Sequence, residues 1–511
     1  MKRNLRLLIS LACGAALVGC TSDEDMSNEV QPAVSQQWNA VVHATLDSIN
    51  DGNGVSDVTT RAIFYGGNTS RFAKVWDKGD QVHVYKDDAE IGILTPLAEY
   101  YATKAAVLTG TMSGDFAVGD NLKLYMPSRV ADYTGQTGSV NKLSNTYSYQ
   151  ENTEATVSAV NKDGSNLSLS EVNMSHRQVY LRFVLLNEAG TVRLHPSRLD
   201  IHAISGGHIV ESIAADGTIT PCDVLTVTPE ADAGEYPGEL FVALLNDGDN
   251  NVTFRLKATV GSDIYVGPVD IEGQSALTFN PSSLKGNLNR VERKMRLTSP
   301  VSSLTIDPIA DQAYTGSAIT PTVTVKDGET VLTKDLDYSV SYSPNVNTGE
   351  VTVTVTGLAM SGAKAQTKWL GEKTTTFNIL AVEPTIEMST AEMTLAVGAS
   401  ETRVVTRVFL DNNGNGTWDE GVDFDVTAQT HIGYVSEATG VATVVSSGAN
   451  AGRVTGVAPG TATIRAYLIN DDTGNLLVAS KTYTVKVGTV GTGQSITPWT
   501  DGDTTNEDIP N

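Results

Sequence analysis

Short runs in which Val, Thr, Ile, Leu and Tyr alternate with polar residues, separated by Gly, Asn, Asp or Pro, fill the chain from residue 37 to about 487. Strict alternation puts every second side chain on one face, so such a run buries its apolar half only as a strand in a half-covered sheet. Val351-Thr-Val-Thr-Val-Thr356, Tyr483-Thr-Val-Lys-Val487 and Val323-Thr-Val-Lys326 carry the pattern, each beside a Gly or Asp-Gly turn signal. Helical periodicity is scarce, and Leu97 to Leu108 is the best candidate. The expected fold class is all-β, in tandem β-sandwiches. At ~100–200 residues per domain, 511 residues make several such units.

The first residues read differently. Lys2 and Arg3 precede the apolar stretch Leu5 to Val18, which is too short for a bilayer-spanning helix and has the form of an export signal. Leu17-Val18-Gly19-Cys20 resembles the lipobox of bacterial lipoproteins. The resemblance implies removal of residues 1–19 and acylation of Cys20, which anchors the chain in outer-membrane lipid through its acyl chains. The following Ser22, Asp23, Glu24 and Asp25 are similar to the signal that sends Bacteroidetes lipoproteins to the cell surface. No later segment reaches ~20 apolar residues, so nothing else is expected to span a membrane.

Losing the leader removes Lys2, Arg3 and Arg6, which takes the formal charge from −24 to −27. Such acidity argues against a nucleic-acid partner, whose binding needs Lys and Arg on phosphates. Of three cysteines, Cys13 leaves with the leader and Cys20 is acylated, so Cys222 has no mate for a disulfide and is expected to be a buried thiol.

Composition shifts divide the rest into a flexible acidic tether at 20–36, a long β region at 37–298, an 83-residue domain at 299–381, another at 382–487, and a tail at 488–511. The third unit carries Ala313-Tyr-Thr-Gly316, Ile319-Thr-Pro321, Val325-Lys-Asp-Gly328, Asp337-Tyr-Ser-Val-Ser-Tyr342, Asn345-Val-Asn-Thr-Gly349 and Thr354-Val-Thr-Gly357. In that order they resemble a bacterial Ig-like repeat. Met393-Thr-Leu-Ala-Val-Gly398 and Val454-Thr-Gly-Val-Ala-Pro-Gly-Thr-Ala-Thr-Ile464 look like two strands of a second Ig-like family of adhesins. The long region has Thr60-Arg61-Ala62, Trp76-Asp-Lys-Gly-Asp-Gln-Val-His-Val-Tyr85, Tyr125-Met-Pro127, His176-Arg-Gln-Val-Tyr-Leu-Arg-Phe183 and Arg290-Val-Glu-Arg-Lys-Met-Arg-Leu297. It resembles the fimbrillin-like surface lipoproteins of Bacteroidetes, which implies two β-sandwich lobes and a place on the cell surface or in a fimbrium.

That resemblance also implies a mode of assembly. Trp38 to Leu46 alternates as a half-buried first strand, and the loop Asp51 to Asp57 separates it from Arg61. In fimbrillins an Arg-directed protease cuts at such a place, the first strand leaves, and the groove takes a C-terminal strand from the next subunit, a case of strand addition. Thr482–Val487 and the Ile496–Trp499 island are the candidate donors here. The opposing reading keeps Arg61 as an ordinary loop residue and the first strand in place.

Chemistry is sparse. The seven His, at 43, 83, 176, 195, 202, 208 and 431, form no H-E-x-x-H pair, and no phosphate loop or G-x-S-x-G elbow occurs. His202 and His208 are expected to flank a hairpin turn at Gly206-Gly207. No enzyme is expected. One constellation has ligand spacing: Asp411, Asn413, Asn415, Thr417 and Asp419 occupy positions 1, 3, 5, 7 and 9 of a calcium loop, with Gly416 at the turn and Asp423 beyond. Position 12 is Val422, where an EF-hand has Glu. Structural calcium and an Asx-rich turn are the two readings of this loop; no other cofactor is expected.

Together these features describe a lipid-anchored surface protein acting in adhesion or as a tip or accessory fimbrial subunit, with other subunits and a host glycan or protein as partners. The alternative is a surface lipoprotein that binds glycan for nutrient capture through exposed aromatic side chains.

Overall fold

The computed structural model describes residues 36–49, 72–73, 75–230, 237–286, 288–388 and 392–489. The fold is all-β, with one short α-helix among the described residues, at Val140–Thr146. Among the described residues no helix is long and apolar enough to cross a membrane.

The described residues of 36–126, together with 150–176, build a first lobe around one eight-stranded sheet. Its first strand, Gln37–Leu46 (β1), buries Trp38, Ala40, Val42, Ala44 and Leu46 and leaves Gln37, Asn39, Val41 and His43 outside. That is the period-two pattern expressed in space. The apolar face of β1 joins a core with Trp76, Leu94, Leu108, Met112, Leu124 and Met174.

The second lobe has its own core, from Ala131 to Met295. Its strand Val179–Asn187 is apolar almost throughout and buried on both faces, as a strand in a covered sheet should be. It pairs parallel with Leu288–Leu297 and antiparallel with Glu239–Leu244. The lobes interleave, because Ala131–Asp132 pairs with Ile209–Ile213 of the second lobe before the chain returns to the first at Gln150–Asn161.

Two smaller sandwiches follow. In the third module Gly349–Gly357 lies between Tyr338–Tyr342 and Glu372–Leu380, with Val351, Val353 and Val355 inside. The fourth has the sheet order Glu392–Ala396, Ser480–Gly488, Gly460–Asp471, Thr430–Ser436. One apolar cluster runs through both modules: Val301, Trp369 and Phe377 share it with Ile386, Val408, Leu410 and Ala479.

Three local expectations need correction. Leu97–Leu108 is not helical: a 3₁₀ turn at Ala98–Tyr100 precedes the strand Ala105–Ser113, whose β-branched and alternating residues pair with β1. His202 and His208 do not flank a hairpin, since Arg198–Ser205 and Ile209–Ile213 belong to different sheets and Gly206 and Gly207, both at positive φ, carry the chain between them. Thr482–Val487 is no free donor. It lies in Ser480–Gly488, paired on both sides, with Tyr483, Val485 and Val487 buried.

Candidate functional site

β1 closes the first lobe's sheet on itself. On one side it pairs antiparallel with Ala105–Ser113, from Gln37↔Ser113 to Thr45↔Ala105. On the other it runs parallel to Asn166–Leu169 and then to Val172–His176. Taken away, it would leave two strand edges facing each other across an apolar groove, which is the geometry a replacement strand recognises. Trp38 fills the entrance: it is 2 % exposed, its Nε1–H donates to the Gly114 carbonyl at 2.8 Å, and its ring meets Phe116 edge-on at 6.1 Å. The covalent path out of β1 enters residues 50–71, and Arg61 lies there, outside the described residues. Cys20, Ser22, Asp23, Glu24, Asp25 and the Ile496–Trp499 island lie outside them too.

The lobes meet at a buried polar seam. Tyr133 OH bonds Gln178 Oε1 at 3.2 Å, Gln178 donates to Tyr180 OH, and Tyr180 OH meets His176 Nδ1 at 2.9 Å. Burial pushes the phenols of Tyr133 and Tyr180 well above their ordinary range, so both remain neutral donors. Arg177 completes the seam through Glu151 at 3.3 Å and the Arg129 carbonyl at 2.8 Å.

Arg255 fastens the second lobe to the third module. It is fully buried and donates to the carbonyls of Ala359, Ser361 and Gly362. Desolvation lowers its pKa to about 10, which still leaves it charged at neutral pH. Beside it Arg296 clasps Glu188 at 2.7 Å and the Gln366 carbonyl at 2.5 Å. A cleft of about 430 Å³ opens there, in which Glu188 pairs with Arg296, Asp327 with Lys368, and Asp337 accepts from Thr333 N and Thr367 Oγ1. Between the third and fourth modules the fully buried Asn475 accepts from Thr348 N at 2.7 Å and donates to Asn347 Oδ1 at 3.0 Å. Neither Arg255 nor Asn475 stood out in the sequence. An Arg between Phe254 and Leu256 in a strand was the available signal for the first.

The loop from Asp411 to Asp423 joins Val405–Leu410 to Phe424–Asp425. Asn413 and Asn415 both donate their amide N–H to Asp419 Oδ2, at 2.6 and 2.5 Å, so these three side chains converge. Asp411 turns its carboxylate to the N–H groups of Gly414, Asn415 and Gly416. Asp423 takes those of Asn412 and Asp419, and Thr417 bonds Asn415 Oδ1. The loop satisfies its own backbone. A cation beside Asp419 would compete with these bonds, because turning the Asn413 or Asn415 oxygen toward it withdraws the acceptor of Asn415 N or of Thr417 N. Trp418 packs on Phe409 at 5.6 Å and under the Arg407 guanidinium at 4.2 Å. Among the described residues no three His, Cys, Asp or Glu side chains are grouped to hold a metal.

No Trp, Tyr or Phe whose side chain is described is exposed; the exposed large apolar side chains among the described residues are Val, Leu and Ile. Cys222 is half-buried against the second lobe's core, and burial raises its thiol pKa.

The chain matches no family profile and no curated protein. Solved structures that it resembles include a candidate cell adhesion protein from Bacteroides uniformis, at 12% identity, covering 52% of this chain and 97% of that one with a TM-score of 0.26. The tip fimbrial protein Mfa3 from Porphyromonas gingivalis, at 10% identity, covers 51% and 98% with a TM-score of 0.25. Domains 4 and 5 of the S-layer protein SbsC, at 18% identity, cover 32% and 89% with a TM-score of 0.16.

Proposed function

We propose that this protein is a non-catalytic, cell-surface adhesion protein or tip or accessory fimbrial subunit, anchored through acylated Cys20 and exported by Ser22 to Asp25. Its first strand guards an acceptor groove until cleavage at Arg61 releases it, and the Ile496–Trp499 island of a second subunit is the donor. The single observation that carries this reading is the place of β1, a strand that closes a sheet from within and leads directly into the segment holding Arg61. Strand exchange suits such a groove, because main-chain hydrogen bonds supply affinity and alternate pockets supply register.

The last two modules present the ligand-facing end, with calcium on Asp411, Asn413, Asn415, Thr417, Asp419 and Asp423 as a structural ion. The glycan-capture alternative needs exposed aromatic faces, and the aromatic side chains described in the structure offer none. Immunogold labelling of cells with an antibody against residues 300–487 tests the proposal. Label on fibres or at their tips is expected; label confined to the membrane would overturn a fimbrial role.

A further inference from the structure

In each module the strand where the chain last leaves lies hydrogen-bonded and parallel to a strand that stands earlier in that module, though not always to its first one: Gln312–Ala313 follows Ser299–Pro300 and Thr305–Ile306, and Glu392–Ala396 follows Thr385–Met388. In the first lobe β1 pairs with Val172–His176, from Ala44↔Val172 to Leu46↔Met174. In the second, Val179–Asn187 pairs with Leu288–Leu297 from Tyr180↔Leu288 to Asn187↔Met295. In the third, Gln312–Ala313 pairs with the end of Glu372–Leu380. In the fourth, Glu392–Ala396 pairs with Ser480–Gly488 from Glu392↔Thr484 to Ala396↔Gly488.

This geometry has a mechanical meaning. When two strands run parallel, the start of one and the end of the other lie at opposite ends of the pair. Pulling on those two points slides the strands past each other along their length, and every ladder hydrogen bond resists at once. Had the pair been antiparallel, both points would lie at one end, and the bonds would open in succession.

The connections leave little slack. Only residues 177–178 separate Val172–His176 from Val179–Asn187, only Thr298 separates Leu288–Leu297 from Ser299–Pro300, and 381–384 link Glu372–Leu380 to Thr385–Met388. Each link is also fastened by buried or half-buried polar contacts: Arg177 to Glu151, Arg255 to the Ala359, Ser361 and Gly362 carbonyls, and Asn475 to Asn347 and Thr348.

We infer that the chain is built to carry tension from end to end, with the parallel pair of each module as a shear clamp. The inference concerns the uncleaved chain; if β1 leaves, the first lobe loses its clamp and the other three modules keep theirs. The clamps are unequal. The second lobe has the longest parallel register and the third module the shortest, so the third module is the first of these two to yield.

Single-molecule force spectroscopy of the full chain, with Cys13, Cys20 and Cys222 replaced by Ser, tests this directly. One molecule is pulled from its two termini. A second carries Ala189→Cys and Leu297→Cys, both exposed, and is pulled from those points at the same end of the second lobe's clamp. An unchanged thermal midpoint shows that the variant is folded. Forced rupture reports the unfolding barrier, so at one loading rate the terminal pull is expected to open the second lobe at a force at least about twofold higher than the 189–297 pull. The length of chain released identifies each module, and the third is expected to open before the second lobe. Equal forces in the two directions, or a second lobe that opens first, would overturn the inference.

Discussion

Gly316 and Phe424 meet across the joint between the third and fourth modules. Gly316 sits at φ +76°, and a Cβ built on it would come within 2.3 Å of the Phe424 ring, so the fourth module rests on a position where only hydrogen fits. The contact belongs to the edge of an apolar cluster that continues from Trp369 and Phe377 to Val408 and Leu410. The two modules therefore share one apolar core.

Gly316→Val tests that contact. The added side chain must displace Phe424 and adopt a left-handed backbone, and the expected loss is about 2–4 kcal/mol. Denaturant unfolding with hydrogen exchange over residues 299–388 reads it; wild-type stability would show that the joint accommodates the side chain.

Trp38→Ala should cost about 3–5 kcal/mol, since it empties a closed core and leaves the Gly114 carbonyl without its donor. Faster exchange is expected at β1 amides and not in the fourth module. Val41→Thr, on the outer face of the same strand, should stay within about 0.5 kcal/mol.

The strands were legible because alternation is a local signal. Val351 to Thr356 and Trp38 to Leu46 reveal their buried faces without any knowledge of their partners. The pairing was not legible, because a strand's neighbours are set by distant residues: nothing near Ala44 announces Val172. Leu97–Leu108 misled for a related reason, since a short apolar run has no clear period until a sheet fixes it. Of the candidate sites, the Asp411–Asp423 loop was visible because its ligand types are contiguous in sequence. The joints at Arg255 and Asn475 depend on backbone carbonyls and amides, which sequence does not distinguish.

Arg255→Met removes the donor of the buried Ala359 carbonyl, worth about 1–3 kcal/mol if left unpaired, and of the more exposed Ser361 and Gly362 carbonyls, which water can reach. The expected signature is faster hydrogen exchange at 359–366 and new proteolytic cutting near Thr298. An unchanged digestion pattern would show that Arg296 and its neighbours hold the joint unaided.

Burial lowers the pKa of His202, and Lys257, Arg255 and Arg198 add to the effect against Asp200. In the unfolded chain the same imidazole titrates near 6.5, at about its ordinary value. The folded state thus binds fewer protons, so its stabilising contribution is present above about pH 6.5 and is lost as pH falls through that value toward the lowered one. Thermal midpoints between pH 7.5 and 5 should decline, and His202→Gln should flatten the slope.

Calcium is expected to raise the thermal midpoint of the fourth module and to change Trp418 fluorescence, because binding to the folded loop adds stability with ion concentration. Asp411→Asn with Asp419→Asn should abolish both responses. No shift at millimolar calcium would leave the loop as a self-satisfied turn.

The most direct test of the assembly proposal is the mass of the subunit in fibres purified from the cell surface. A chain that begins after Arg61 and has lost Gln37–Leu46 is the expected result. Assembled subunits that retain Cys20 to Arg61 intact would contradict it.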